Sequence, residues 1–349
     1  MKLALADASE AASHSCVSPL RVLFVIPGQA EGSSMIFARR QAQSLREQGA
    51  EISVFYLRSR TSVLELACEY ARFRRQVRRW RPQLVHAHFG TVTALFTVLA
   101  AGRLPVLVTY RGSDLNRVPS SDGLRSWAGR LLSQLAALKA RRIICVSRAL
   151  QARLWWRRSR VTILASGVDT KLFRPGDRDQ ARAILGWRRS ARVILFNSGH
   201  DSRNKRLDLA RAAVGLTGGM LPGVELKVLD GSIEPTQVPL WMKAADCLLV
   251  TSDAEGSPTV VQEAMASNLP IVSVDAGDVA ERLEGVRQTR IVRRDPLALG
   301  AALVDVLKNP ERSDGSLRAE SLSLTSIAGA LMALYGEVLR TRSSALNAS

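Results

Sequence analysis

Two glutamates with seven residues between them, Glu255 and Glu263, stand in the segment SDAEGSPTVVQEAMASNLPIVSVDAGDVAE (252–281). The pattern reads as a strand, a loop and a helix, with Glu255 in the loop and Glu263 about two turns into the helix, both facing one crevice. Gly256 and Ser257 free the loop backbone, and Pro258 is pre-set for a helix start. The amides of Thr259, Val260 and Val261 are then unpaired donors at a helix N-terminus, a natural seat for a phosphate. A carboxylate inside that helix, angled toward the ligand, suits a vicinal diol such as ribose.

A second cluster, NSGHDSRNKRLDLA (197–210), collects His200, Arg203, Lys205 and Arg206 after another strand-like run. Clustered cations of this kind suit an anionic ligand such as a phosphate. His86 and His88, two apart on one strand, share a face. As metal ligands they want a third partner, and no other His or CxxC pair offers one. The loop GQAEGSS (28–34) follows the first strand but is not spaced as G-x-G-x-x-G. The triplet Asp177-Arg178-Asp179 follows Arg174-Pro175-Gly176 and reads as a helix cap, not a metal-binding Asp-x-Asp.

The elements that must position these residues alternate. RVLFVIP (21–27), EISVFYL (51–57), PQLVHAHF (82–89), LPVLVTY (104–110) and RIICVS (142–147) read as strands with helices between. Among those helices are Ser33–Gly49, capped by Ser33 or Ser34, and Leu66–Trp80. After a Gly/Pro-punctuated link (161–177) the alternation restarts with ARVILFNSG (191–199), a helix from Lys205 to Val214, and strands at 224–231, 245–252, 269–277 and 289–294. Such order specifies an α/β fold of two doubly wound, Rossmann-like parallel sheets. The expected organisation is a disordered leader (1–18), an N-terminal acceptor domain (19–168), a C-terminal donor domain (169–325) and a last helix (326–349) crossing back to the first domain.

The chain is long enough, at 349 residues, for two cores. Its 46% apolar and 23% charged residues exclude wholesale disorder. No run approaches the ~20 apolar residues that cross a bilayer, and the first eighteen residues lack a signal-peptide core. The scattered Cys16, Cys68, Cys145 and Cys247 read as free thiols of a reducing compartment, so a cytoplasmic location is expected.

Charge is distributed unevenly. Residues 1–165 hold 26 basic and 9 acidic groups, a surplus of 17, while 166–349 are nearly balanced at 23 and 22. Such asymmetry points the first half at an anionic partner. An apolar stripe of Leu66, Tyr70, Phe73, Val77 and Trp80 flanked by arginines, with Trp155-Trp156-Arg157-Arg158 beside it, suggests an anionic membrane surface. No nucleic-acid module is recognisable.

Taken together, Glu-x7-Glu within E-G-x-P-x-x-x-x-E-A-M-A-x-x-x-P-I-V resembles the signature of glycosyltransferase family 4, retaining enzymes of the GT-B fold. SSMIFARRQAQSLREQGAEISVFYL, LVHAHFG, VTYRGSDL, CVSRAL, ILASGVDTKLFRP and IVRRDPLALGAAL resemble its successive landmarks.

The resemblance implies metal-independent transfer of a hexose-type sugar from a nucleotide-diphosphate donor, with no cofactor, to a glycan or lipid-linked acceptor of polysaccharide biosynthesis. It assigns Glu263 to the donor ribose, and Glu255 with the Gly256–Thr259 amides to the sugar and diphosphate. Lys205 falls to the diphosphate, His88 to the donor hexose, and Gly32 and Ser33 to the diphosphate and acceptor. Where the family carries Arg, this chain has His200, so Arg203, Arg206 or a protonated His200 must replace it. Arg111 stands in place of a more usual His and is expected on the acceptor side. Two other classes fit less of the pattern: a sugar-nucleotide epimerase or phosphorylase-like enzyme of the same fold, and a non-catalytic basic binding protein.

Overall fold

The computed structural model describes residues 19–31, 35–117, 123–199 and 201–347, with side chains to residue 341. The uninterrupted apolar run at the start becomes β1 (Arg21–Pro27), whose residues Val22 to Ile26 are fully buried, as a strand covered on both faces must be. It lies between β2 (Glu51–Leu57) and β3 (Leu84–His88). β4 (Val106–Tyr110), β5 (Arg142–Cys145) and β6 (Val161–Ile163) complete a parallel sheet of order β2-β1-β3-β4-β5-β6.

The second sheet contains β7 (Arg192–Asn197), β8 (Val224–Leu229), β9 (Cys247–Val250), β10 (Ile271–Val274) and β11 (Thr289–Val292). Its order is β8-β7-β9-β10-β11, again all parallel. Helices cover both faces of each sheet, giving two doubly wound layers.

Three local expectations change. Residues 161–163, read as part of a link, pair with β5. A three-residue edge strand with every side chain half-exposed carries no periodic signal. The helix expected from Ser33 is Ile36–Glu47, led by Met35 in a left-handed conformation at φ 58°; Ser33 and Ser34 lie outside the described residues. The helix expected from Lys205 is broken: Ser202–Lys205 ends at Arg206, also left-handed at φ 57°, and Leu207–Met220 begins anew. The break points Lys205 away from the long helix and toward the loop after β9.

The chain crosses between the sheets twice, and the crossings touch. Val168 pairs with Ser323 in an isolated parallel bridge, with Val168 N–H donating to Leu322 O and Leu324 N–H to Val168 O, both at 2.9 Å. Helix Leu324–Asn347 then packs on Ile36–Glu47 of the first unit, where Ser44 Oγ donates to Leu324 O at 3.0 Å and Gln48 Nε2 to Thr325 O at 2.7 Å. Its Tyr335 is fully buried and lies 2.6 Å from His86 Nδ1, while His86 Nε2 lies 2.7 Å from Thr109 Oγ1. With both ring nitrogens occupied and burial lowering its pKa to about 3, His86 is a neutral structural side chain. Removing the tyrosine hydroxyl leaves a buried ring nitrogen unpaired, so Tyr335→Phe should destabilise by about 1–3 kcal/mol. Urea unfolding of the two proteins checks this; coincident midpoints would mean that the bond contributes nothing.

Candidate active site between the two sheets

In open α/β sheets the crevice for a ligand opens where strand order reverses, beyond the carboxyl ends of the strands. Here that is between β1 and β3 in one sheet and between β7 and β9 in the other. The loop after β4 meets the loop after β9 beside these points. Asn116 Nδ2 donates to Glu255 O at 2.9 Å, and Arg40 Nη1 lies 3.8 Å from Glu263 Oε1. Gly112 and Gly256 are in backbone contact: a Cβ on Gly256 would lie 1.8 Å from Arg111 O. A cavity of about 320 Å³ remains between them, walled by Phe37, Phe89, Arg111, Asn116, Asn204 and Glu255 among others.

Lys205 and Glu255 are brought together as an ion pair, both mostly buried. Thr251 Oγ1 fixes the turn beneath by donating to Lys205 O at 2.7 Å. Ser257 turns inward, its hydroxyl donating to Asp278 at 2.8 Å and accepting from Gln262 at 3.0 Å, so only its main chain faces the crevice. Pro258 caps Thr259–Ala266, but Val261 N–H is spent on Pro258 O at 3.1 Å. The set of open donors at the helix start is therefore narrower than the sequence suggests, with Thr259 and Val260 remaining in its first turn.

Glu263 lies mid-helix, and burial raises its pKa to about 7 even with Arg40 opposing. An acid raised above its unfolded value loses stability as pH climbs from the unfolded pKa to the folded one, and the loss is complete above the latter. At pH 8 the buried charge opposes folding, by about 3 kcal/mol at most at 1.36 kcal/mol per pKa unit; near pH 5 it does not. Glu263→Gln should therefore exceed wild type in stability at pH 8, with the gap closing toward pH 5. Melting curves across that range test this, and a pH-independent gap would remove the charge explanation.

His88 is fully buried under Arg111, whose Nη2 lies 3.0 Å from its Nδ1, and its Nε2 is buried without a partner. Burial and the neighbouring His86 and Arg111 hold its pKa well below the usual value, so the ring stays neutral. Arg111, rather than His88, reaches the cavity wall. The loop that carries Arg111 is built by Asp114, a fully buried carboxylate accepting N–H bonds from Gly90, Arg111 and Gly112 at 2.8–3.0 Å.

The cations proposed to replace the missing arginine do not join the cavity. Arg206 is held by Asp208 at 3.0 Å and Asp253 at 3.3 Å, and exposed Arg203 lines a separate groove with Arg206 and Arg211. His200, Gly32 and Ser33 lie outside the described residues. Arg40, beside Glu263, was not singled out from the sequence, because one arginine in a basic helix has no distinguishing pattern.

The surface features also divide. Leu66, Phe73, Val77 and Trp80 pack into the core of the first unit, so most of that stripe is structural; Tyr70 stays half-exposed. Trp156 packs there too and donates to Gln134 O at 2.8 Å. Trp155 stays exposed, and Val63, Leu64, Leu124 and Trp127 are among the other exposed apolar side chains, next in sequence to the lining of a cavity of about 630 Å³ that includes Arg58, Arg60, Arg125 and Phe89. None of the described helices is long and apolar enough to cross a membrane.

Two parallel sheets meeting over such a cleft define the GT-B class. Solved structures agree on the fold. Sucrose-phosphate synthase from Thermosynechococcus elongatus matches with a TM-score of 0.74 at 15% identity, over 92% of this chain and all of that one. Anabaena HepE in complex with UDP matches at 0.63 and 16%, over 95% of this chain and 100% of that one. The model described as Glycosyltransferase Family 4 matches residues 32–172, and that for Glycosyl transferases group 1 matches 188–309. Both halves of the chain thus match family models of glycosyltransferases. D-inositol 3-phosphate glycosyltransferase 1 of Catenulispora acidiphila is 31% identical over 199 residues, 47% of each chain. The chain spans about half the length of the curated relatives it matches.

Proposed function

We propose that this protein is a retaining, metal-independent glycosyltransferase moving a hexose-type sugar from a nucleotide-diphosphate donor to a glycan or lipid-linked acceptor. The observation that carries the reading is the meeting of Lys205, Glu255 and the start of helix Thr259–Ala266 at the reversal point of the second sheet. A cation beside a helix N-terminus suits a diphosphate whose charge grows as the glycosidic bond breaks. Glu263 accepts the ribose hydroxyls, and the transferred sugar lies in the cavity beside Glu255. Retention is the family's stereochemistry: the acceptor attacks from the face the diphosphate leaves, and the leaving group takes its proton.

The acceptor enters from the first unit. The cavity of Arg58, Arg60 and Arg125 shares Phe89 with the donor cavity, and its rim of exposed apolar side chains suits an amphiphile at an anionic membrane. Burial and Arg125 both lower the Arg60 pKa, as for like charges held close together. That HepE was solved with UDP, and that the relatives include enzymes named for inositol phosphate and teichuronic acid, supports a sugar nucleotide and an anionic acceptor.

Incubation with radiolabelled sugar nucleotides and membrane or glycan extracts tests the proposal. Transfer should persist in EDTA with the anomeric configuration kept. Inversion, or loss in chelator restored by Mg²⁺ or Mn²⁺, would refute the mechanism. An epimer formed without any acceptor would favour the epimerase class.

A further inference from the structure

The cleft contains a guanidinium that no described carboxylate pairs with directly. Arg111 Nη1 donates to Ser166 Oγ at 2.9 Å, Nη2 lies 3.0 Å from His88 Nδ1 and 3.5 Å from Gln41 Oε1, and the Phe37 ring covers the group at 4.1 Å. Each of these partners is neutral. Nε is buried with no partner, and no ion pair within 4.0 Å includes Arg111 among the described residues. Asp114, whose field reaches it, spends both oxygens on main-chain N–H groups.

Arg182 shows how this chain treats a guanidinium that serves only structure. It is fully buried, Asp246 faces it at 2.6 Å, and three carbonyls accept from its other N–H groups. Buried charges are ordinarily matched in this way, because an isolated one is costly to desolvate. At Arg111 no described carboxylate comes within ion-pair distance, and the guanidinium lines the cavity it shares with Glu255 and Asp201.

We propose that Arg111 binds an oxyanion of the sugar-nucleotide donor: either the diphosphate, whose usual guanidinium Arg203 and Arg206 do not supply, or a carboxylate on the transferred sugar. The donor is favoured over the acceptor because the Arg111 main chain abuts Gly256 in the loop of Glu255, whereas the acceptor cavity has three arginines of its own. The inference rests on the glycosyltransferase reading.

Isothermal titration of the full chain tests it. UDP, GDP and dTDP first select the base; the chosen diphosphate, its neutral hexose derivative and its hexuronate derivative are then titrated into wild type, Arg111→Gln and Arg111→Lys. Each protein is first checked for a cooperative melt, and Arg111→Lys, which keeps the charge, serves if the glutamine variant does not fold. A tenfold or greater loss for all three ligands in Arg111→Gln, partly restored by lysine, assigns the diphosphate. A wild-type preference for the hexuronate that vanishes in the variant, with diphosphate affinity unchanged, assigns the carboxylate. Unchanged affinities for all three overturn the role of Arg111 alone. A wild type that binds no nucleotide, with or without sugar, overturns the glycosyltransferase reading and this inference with it.

Discussion

Lys205→Ala should lower turnover by about 10²–10³-fold at saturating donor while the protein stays folded. Lys205 is the described cation that meets Glu255 at the reversal point, and the left-handed Arg206 fixes its direction. Charge that develops on a departing diphosphate is stabilised most by donors already in place, and losing one such group costs about 3–4 kcal/mol. The ground-state diphosphate carries less of that charge, so kcat should fall more than the affinity for nucleoside diphosphate. The ion pair complicates a naive reading, because Glu255 loses its partner too. Comparing Lys205→Ala with Glu255→Gln separates the contributions: the lysine variant should be the slower if the cation acts on the leaving group. Turnover near wild type would place the diphosphate elsewhere in the cleft.

Gly256→Ala should be comparably damaging for a geometric reason. The new Cβ would lie 1.8 Å from Arg111 O and 3.0 Å from Gly112 Cα, both backbone atoms that cannot rotate away. On the other side, a Cβ on Gly277 would already lie 2.8 Å from Gly256 O, so the loop has no room to retreat. The cleft must open by an ångström or more to accept one methyl, and misplacement on that scale can cost about 10²-fold in rate. The clash falls in the cleft loops and not in the apolar cluster that runs from Phe24 through Leu331 to Val193 and Leu248, so the melting temperature should fall less than transfer. Small-angle scattering should report a wider molecule, and transfer should fall with it. Unaltered transfer would show that the close approach of Gly112 and Gly256 is not part of the working state.

Much of this was legible in the chain itself, because it depends on local pattern. Ten of the eleven strands among the described residues were marked by runs between turns, most plainly β1, β3, β4 and β9, which are buried on both faces and so apolar almost throughout. The eleventh, Val161–Ile163, is half-exposed and short, and so carries no such mark. The helix beginning at Pro258 and the glutamates around it were equally readable, as spacing along a helix is a property of sequence. Asp177 caps Arg178–Leu185, accepting from Gln180 N–H at 2.7 Å, which a triplet before a helix announces.

Tertiary structure decided everything that depends on a second segment. The stripe Leu66–Trp80 was as consistent with a membrane as with a sheet, and only packing sent Phe73 and Val77 inward. Arg203, Arg206 and Arg111 are the same residue type in similarly basic surroundings. Asp208 and Asp253 hold the second, and the first faces another groove. The third lies beneath the meeting of two domains, with neutral neighbours and a buried Nε. Arginine identity and local charge come from the chain, but whether a guanidinium finds an anion depends on groups brought from distant parts of it. That distance is why the sequence named the chemistry of the cleft and only the fold could say which cation it leaves unmatched.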